Sequence, residues 1–278
     1  MSDQSRLYAL DSDDECERLE LQASLAGLER HLPTLELAPG ENVLDVGCGS
    51  GSMSRTMARA QPAASVTGVD IRHKYIEYAR QKAAEEELTN ISFREADVFQ
   101  LPFANDTFDV IWTKYLFQWL KDIRPAIAEL GRVLRPGGRL ISADFVDFAI
   151  EHHPVDDAFN ADVRRIMPQF VDVGVGRKVA PSLLAHGFTD VAVNIETDTL
   201  FTVVGKIDPL RRRNWELQWK AARGRLIDIE GSEEKADHFI GQFLRYHDDP
   251  QVCSCTALYI TRGVKESVTS GSACGDDK

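Results

Sequence analysis

The stretch V43-L-D-V-G-C-G-S-G51 decides the fold of this chain. A short apolar run ends in an acid and then in three glycines, Gly47, Gly49 and Gly51, each separated by one residue. Glycine has no Cβ, so its backbone can adopt unusual dihedrals and approach a ligand closely. The stretch therefore predicts a buried strand that turns into a helix, with a small-molecule site at the turn. By itself the turn suits a phosphate, a dinucleotide or an amino-acid-like group.

Strand and helix patterns alternate around this turn. Predicted strands cover 42–46, 65–69, 91–94, 108–112 and 139–143, with predicted helices over 52–60, 74–88 and 124–134. This alternation with short connections indicates a mostly parallel sheet covered on both faces. Further along, the pattern predicts a helix over 181–186, a strand over 191–196, two amphipathic helices within 206–249 and a last strand over 257–261.

The pattern divides the chain into five regions. Residues 1–40 are expected to form an N-terminal helical lid, and 41–197 a core with an irregular substrate-side insertion at 145–176. Residues 198–252, which we call the cap, are expected to form a helical insertion, and 253–263 the final core strand. The small, polar tail at 264–278 is expected to be disordered.

Composition narrows the class of protein. The chain has 278 residues, 43% of them hydrophobic, and a net charge of -12, which disfavours nucleic acid as a partner because its binders usually carry a basic face. The start M-S-D-Q-S-R-L-Y has no charged-then-apolar leader, and no apolar run reaches membrane-spanning length. An odd number of cysteines suits a reducing compartment, and Cys253 and Cys255 lack the partners of a metal site. We therefore expect a cytoplasmic protein without membrane insertion or bound metal; a homodimer stays open.

Acidic residues recur where predicted strands end, which is where open parallel sheets bind ligands. Asp45 lies beside the glycine turn, where a carboxylate would repel a pyrophosphate but attract an ammonium group. Asp70 ends the second strand, about 20 residues past the turn, at the usual position of an acid that accepts ribose hydroxyls. Ile71 can lie against an adenine ring. Asp97 can accept an adenine amino group while Val98 packs on the ring.

Five segments of the chain together resemble a known family. They are V-L-D-V-G-C-G-S-G, V-T-G-V-D-I, A-D-V-F-Q-L-P-F, F-D-V-I-W and L-R-P-G-G-R-L, in this order. Their spacing is similar to that of class I S-adenosylmethionine-dependent methyltransferases, especially the ubiquinone/menaquinone-type small-molecule branch. The resemblance covers 40–145 and, in general plan, extends to 262. It implies an α/β fold with a Rossmann-like, doubly wound seven-stranded sheet, its last strand antiparallel, with a helical lid and a helical insertion.

The resemblance also implies a cofactor, S-adenosylmethionine, released as S-adenosylhomocysteine. Asp45 would help to hold the methionine ammonium group, Asp70 the ribose and Asp97 the adenine. Tyr8 would close over the cofactor, although a packing role for this aromatic residue suits the sequence equally well. The full set of implied cofactor-binding residues is Tyr8, Asp45, Gly47, Gly49, Gly51, Asp70, Ile71, Asp97, Val98 and Lys114.

The acceptor of the methyl group is expected to be a small molecule. Methyl transfer from a sulfonium is an in-line displacement, which positioning and exclusion of water can accelerate without a metal. The candidate catalytic or orienting residues are Tyr115, Asp144 and His152. The pair Gln118-Trp119 resembles a segment of enzymes that methylate small carboxylic acids, and the candidate partners for an anionic acceptor are Arg164, Arg177 and Arg211.

Three other functions compete with this interpretation. A methyltransferase acting on protein or RNA would show a groove of macromolecular size. A nicotinamide-dependent oxidoreductase is disfavoured by Asp45 and by Ser52, which stands where the dinucleotide fingerprint has glycine or alanine. A protein that binds the cofactor without catalysis would have the same fold, since fold alone does not imply function.

Overall fold

The computed structural model describes Leu10, Ser12 and residues 14–147, 152–154 and 156–267. Tyr8 and residues 268–278 of the predicted tail lie outside these residues, whereas 264–265 belong to the last strand of the main sheet rather than to a disordered tail. The helices are α1 (Glu15–Ala26), α2 (Leu32–Leu35), α3 (Ser52–Ala60), α4 (His73–Glu85), α5 (Arg124–Val133), α6 (Asp157–Ile166), α7 (Gly176–Ala185), α8 (Pro209–Glu230) and α9 (Glu233–Tyr246). The strands are β1 (Asn42–Val46), β2 (Ser65–Asp70), β3 (Ile91–Glu95), β4 (Phe108–Lys114), β5 (Leu134–Val146), β6 (His152–His153), β7 (Phe188–Thr197), β8 (Val203–Val204), β9 (Cys253–Ser254) and β10 (Ala257–Lys265).

Seven strands form the main sheet in the order β3-β2-β1-β4-β5-β10-β7. Strands β1 to β5 pair in parallel, whereas β10 lies antiparallel to both β5 and β7. The predicted seven-stranded Rossmann-like sheet with an antiparallel last strand is confirmed. The strand order reverses beside β1, so the carboxyl ends of β1 and β4 flank the crevice in which such sheets bind ligands.

Strand β1 lies in the middle of the sheet because its sequence is apolar on both faces. Val43, Leu44 and Val46 are at most 2% exposed, and β1 pairs with β2 on one side and β4 on the other. A strand buried on both faces is expected to be a short continuous apolar run, as this one is. The glycine turn then leads directly into α3.

Apolar clusters cover both faces of the sheet, and another fills the cap. On one face Ile127 and Leu130 of α5 pack in the same cluster as Leu183 of α7. On the opposite face Met57 of α3 clusters with Trp112 of β4. The cluster inside the cap contains Trp215, Trp219, Phe239 and Phe243 and reaches Phe145 at the end of β5. This shared packing fixes the cap against the carboxyl edge of the sheet.

The prediction that residues 145–176 are irregular is wrong. Strand β5 continues to Val146, and α6 occupies Asp157–Ile166. The side chain of Asp156 caps α6 by accepting a hydrogen bond from the Phe159 backbone N–H, 3.0 Å away. Phe159, Val163 and Ile166 are buried at helical spacing. The sequence pattern did not predict this short helix because acids, histidines and aromatic residues without a clear period surround it.

Other elements differ from the prediction mainly at their ends. Helix α7 begins at Gly176, five residues before the predicted start, and contains Pro181. The two-residue strands β6, β9 and β8 form a small second sheet that the sequence pattern did not indicate, since so short a strand has no measurable period. In the part of the chain that the structure describes, no helix combines the length and apolar character needed to cross a membrane.

Candidate functional site

A cavity opens at the carboxyl ends of β1 to β4 and extends beneath α1 and α8. Together with the open space at its mouth it encloses about 1420 Å³. Lid, core and cap all contribute to its walls. The predicted site residues that line it are Gly47, Gly49, Asp70, Ile71, Asp97, Val98, Lys114 and Tyr115.

The glycine turn forms one wall of the cavity with its backbone. Gly47 and Gly49 have φ values of 74° and 54°, in the left-handed region that favours glycine. A Cβ on Gly47 would lie 3.0 Å from the Leu116 side chain, and one on Gly49 would lie 3.2 Å from the Leu19 side chain. Both positions therefore favour glycine for their backbone conformation, and a larger residue would also have to displace a leucine methyl group.

Asp70 ties the glycine turn to the end of β2. Its carboxylate accepts hydrogen bonds from the backbone N–H of Gly49 and of Arg72, each at 2.9 Å. Burial raises the pKa of Asp70, and these backbone hydrogen bonds oppose the rise. The carboxylate is thus held rigidly at the cavity wall, where it can accept further hydrogen bonds.

Asp97 and Val98 follow β3 and face the same cavity as Ile71. One carboxylate oxygen of Asp97 accepts a hydrogen bond from the Phe99 backbone N–H at 3.0 Å, which fixes the turn. Val98 is 8% exposed. An apolar slot with an acid at its edge is suited to a flat heterocycle that carries an amino group.

A smaller recess of about 530 Å³ continues from the main cavity past Gly47, Gly49, Lys114 and Tyr115. Asp45 lines this recess; it is 2% exposed and accepts a hydrogen bond from the Ser54 hydroxyl at 2.5 Å. Burial raises the pKa of Asp45 to about 7. The structure therefore places Asp45 next to the cavity rather than inside it.

Lys114 lies in the wall that the two spaces share. Burial lowers its pKa to about 8, and its Nζ lies 3.1 Å from Nε2 of His31. Burial and the neighbouring Lys114 lower the pKa of His31 to about 3, so His31 is neutral and can accept a hydrogen bond from the ammonium group. An acid and an amine, each disfavoured as an ion by burial, thus face one small recess.

Tyr115 adopts a backbone conformation that is rare for its residue type. Its φ is 54°, and its N–H donates to the Ala143 carbonyl at 3.0 Å. Its hydroxyl donates to the buried carboxylate of Asp198. Burial raises the pKa of Tyr115 well above its ordinary range, and Asp198 reinforces the rise. The phenol therefore stays protonated at neutral pH and is held by Asp198.

The structure does not bring two predicted residues, Gly51 and Asp144, to the cavity. Gly51 faces α4 and β3, since a Cβ there would lie 2.8 Å from Ala79 and from Phe93. Asp144 is fully buried and accepts a hydrogen bond from the Ser142 hydroxyl. The backbone of the third candidate, His152, pairs with Ser254 in the small second sheet.

The substitution Asp144→Asn is expected to raise stability more at pH 8 than at pH 5. Burial raises the pKa of the folded-state carboxyl to about 7, against an ordinary 3.8. Between these values the folded state holds a proton that the unfolded state has lost, so stability falls as pH rises towards 7. Asparagine does not titrate, and its advantage should grow by about 2–3 kcal/mol between pH 5 and 8. Urea denaturation at both pH values measures the free energy of unfolding. The control is Asp228→Asn, which replaces an exposed acid. An equal gain in stability at both pH values would contradict the prediction for Asp144→Asn.

Several cavity residues carry no recognisable signal in the sequence. Arg18 and Glu15 of α1 look like an ordinary surface pair at i,i+3 spacing, yet they are 3% and 0% exposed. Arg18 and Gln22 line the lid side of the cavity, and Gln218 of α8 lines the cap side. Only the packing of α1 against α8 turns these helix faces inward.

Comparison of the sequence with known proteins finds a matching family and several similar proteins. The family model described as a methyltransferase domain matches residues 37–177, half of the chain. An O-methyltransferase of Pyrenophora dematioidea is 37% identical over 140 residues, covering 50% of this chain and 52% of that protein. The 27-O-demethylrifamycin SV methyltransferase of Amycolatopsis mediterranei is 36% identical over 135 residues, covering 48% and 49%. The chain thus spans about half the length of the curated relatives it matches.

A solved structure shows a similar fold over most of the chain. The YcgJ protein of Bacillus subtilis aligns with a TM-score of 0.57 and 22% identity, covering 86% of this chain and 98% of that one. Identity at this level supports the fold alone. The curated matches cover about half of this chain, so about half of it has no counterpart in those alignments.

Proposed function

We propose, on the premise that this chain belongs to the class I S-adenosylmethionine-dependent methyltransferases, that it transfers a methyl group from S-adenosylmethionine to a small-molecule acceptor. The main support for this proposal is that one continuous cavity joins the core to the cap. It runs from the glycine turn and the acids after β2 and β3 to a wall built by the cap. Cofactor and acceptor would meet where these two parts join.

The core side of the cavity supplies the groups that adenosine needs. Asp70 would accept hydrogen bonds from the ribose hydroxyls, and Asp97 from the adenine amino group. Ile71 and Val98 would pack on the faces of the ring. Gly47 and Gly49 would let the backbone approach the chain that joins the ribose to the amino acid.

The small recess supplies complementary charges for the amino-acid end. Asp45 would hold the ammonium group and Lys114 the carboxylate. Each ligand charge favours the ionised form of its partner, so the pKa of Asp45 would fall and that of Lys114 would rise on binding. This arrangement explains why two buried titratable groups of opposite sign face one recess.

The protein would accelerate the reaction mainly by positioning. The bound cofactor supplies a methyl group on a sulfonium, which an acceptor nucleophile attacks in line. The chain's own residues would orient the acceptor and exclude water under lid and cap. Tyr115 keeps its proton and Asp144 does not line the cavity, so neither residue is assigned as a base. The names of the relatives support oxygen as the methylated atom.

Calorimetric titration with S-adenosylhomocysteine tests the cofactor assignment, with NADH as the control ligand. We expect micromolar binding of S-adenosylhomocysteine and no measurable binding of NADH, because the Asp45 carboxylate disfavours a pyrophosphate. A titration at pH 7 in two buffers of different ionisation enthalpy also reports the protons exchanged as Asp45 and Lys114 change charge. Tight NADH binding, or no binding of S-adenosylhomocysteine, would contradict the proposal.

A further inference from the structure

The charged residues of the cavity are confined to one side. Those that line it lie on α1 and at the ends of β2, β3 and β4, and they are Arg18, Asp70, Arg72, Asp97 and Lys114. The opposite side is formed by residues 115–120, Phe145, residues 167–171, Phe201 and α8. No cavity-lining residue from these described segments carries a formal charge.

The uncharged side is largely aromatic. Ring centroids of Tyr115, Phe145 and Phe201 lie 5.9–6.1 Å apart, and those of Phe170 and Trp219 lie 6.2 Å apart. The aromatic residues that line this side are Tyr115, Trp119, Phe145, Phe170, Phe201 and Trp219. Walls of this kind favour a planar apolar guest by burial and by offset or edge-to-face ring contacts.

Two glutamines interrupt the aromatic wall, and each has a buried amide oxygen without a hydrogen-bond partner among the described residues. Gln118 is 6% exposed and lies between β4 and α5, while Gln218 lies on α8. A buried, unsatisfied amide oxygen costs about 1–3 kcal/mol. Rotation of either amide towards a ligand in the cavity would remove that cost, and an amide pairs equally well with a hydroxyl or a carbonyl.

The cations considered for an anionic acceptor are already paired or lie elsewhere. Arg18 donates two hydrogen bonds to Glu15, at 2.6 and 2.8 Å, so the lid presents a neutralised pair. Arg177 pairs with Asp147, and Arg211 pairs with Asp208 and the Thr199 carbonyl. Arg164 is exposed on α6 and does not line the cavity. On the uncharged side of the cavity, a buried carboxylate would therefore find no cation among the described lining residues.

We infer that the acceptor is an uncharged, largely apolar, ring-bearing molecule whose hydroxyl or carbonyl group is held by Gln118 and Gln218. These two amides determine specificity, and the site rejects carboxylic acids, contrary to the subtype suggested by the Gln118-Trp119 pair. The inference rests on the proposed function, because it takes the charged side of the cavity as the place of the cofactor.

Binding of three matched probes tests the acceptor class. 1-Naphthol, 1-naphthoate and naphthalene share one ring system and differ in the polar group. Quenching of the fluorescence of Trp119 and Trp219 reports their binding at pH 7.5, with and without S-adenosylhomocysteine. We expect naphthol to bind about 100-fold or more tightly than naphthoate, since an unpaired buried charge costs several kcal/mol. Naphthoate binding as well as naphthol, or no binding of naphthol, would overturn the inference.

Variants of the two glutamines test their role. Gln118→Leu and Gln218→Leu keep the volume and remove the amide, so each should weaken naphthol binding about 3- to 10-fold. Naphthalene binding should be unchanged or tighter, which a merely structural defect would not produce. Gln81→Leu, on the exposed face of α4, is the control. Equal losses for naphthol and naphthalene, or none for either, would overturn the assignment.

Two further measurements distinguish failure of the proposed methyltransferase function from failure of the inference about the acceptor. Methylation of naphthol from S-adenosylmethionine is followed by mass spectrometry, and S-adenosylhomocysteine binding is measured without acceptor. Naphthol binding that depends on the two amides supports the inference even where S-adenosylhomocysteine does not bind. S-adenosylhomocysteine binding combined with a preference for naphthoate overturns the inference and leaves the cofactor assignment intact.

Discussion

Asp70→Ala is expected to weaken S-adenosylhomocysteine binding by about 100-fold or more, because a carboxylate that accepts two ribose hydroxyls makes two charge-assisted hydrogen bonds worth about 1.5–3 kcal/mol each. The loss is compounded at the glycine turn, where the same carboxylate holds the backbone N–H of Gly49. Calorimetry measures the affinity, and circular dichroism checks that the variant is folded. Unchanged affinity would remove Asp70 from the site.

Two controls separate direct contact from support of the turn. Asp228→Ala removes an exposed acid of α8 and should leave the affinity unchanged. Methylthioadenosine and its 2′-deoxy analogue provide the second control. If Asp70 contacts the ribose, the wild-type protein should prefer the hydroxylated ligand by about tenfold or more, and Asp70→Ala should lose most of that preference. A preference that survives the substitution would mean that Asp70 only supports the turn.

Gly51→Ala is expected to lower the free energy of unfolding by about 2–4 kcal/mol. Gly51 has a φ of 78°, which strains an L-residue, and the added methyl would lie 2.8 Å from Ala79 Cβ and from two ring carbons of Phe93. None of these atoms belongs to the end of a flexible side chain. The third glycine of the turn thus serves packing between α3, α4 and β3. Urea denaturation measures the loss.

Gly231→Ala is the matched control for this substitution. Gly231 has nearly the same φ, 76°, but no heavy atom within 4 Å of its added Cβ. The Gly231→Ala variant should lose only the free energy needed to hold an alanine at this positive φ, about 1 kcal/mol. The difference between the two variants isolates the steric conflict at Gly51. If both variants lose the same free energy, the close packing around Gly51 is refuted.

The core could be predicted closely because its signals are local. The bounds of β1 and α3 follow from an apolar run, a glycine turn and a small-residue helix start, all within 19 residues of sequence at 42–60. Residues at the strand ends, such as Asp70 and Asp97, could be placed because parallel strands bring their carboxyl ends to one edge. The same reasoning included Gly51 in the site, since sequence spacing does not show which way a turn residue faces.

The acceptor side could not be predicted because its contacts are long-range. Gln118 and Gln218 are 100 positions apart, and only the docking of α8 on the sheet edge brings both to one cavity. The buried Glu15–Arg18 pair has the spacing of a solvated helix face. The aromatic residues of 145–176 are evident in the sequence, but helix α6, which buries Phe159 and precedes the cavity-lining Phe170, could not be predicted from it.

The connection between Thr197 and Ala257 has a consequence for how this protein can vary. These two residues face each other directly across β7 and β10, so the chain leaves and re-enters the sheet one strand spacing apart. The residues between them connect two adjacent strands. The entropic cost of closing a flexible loop rises by only about 0.6 kcal/mol for each doubling of its length. We therefore expect that the intervening segment can differ in length without displacing β7 or β10.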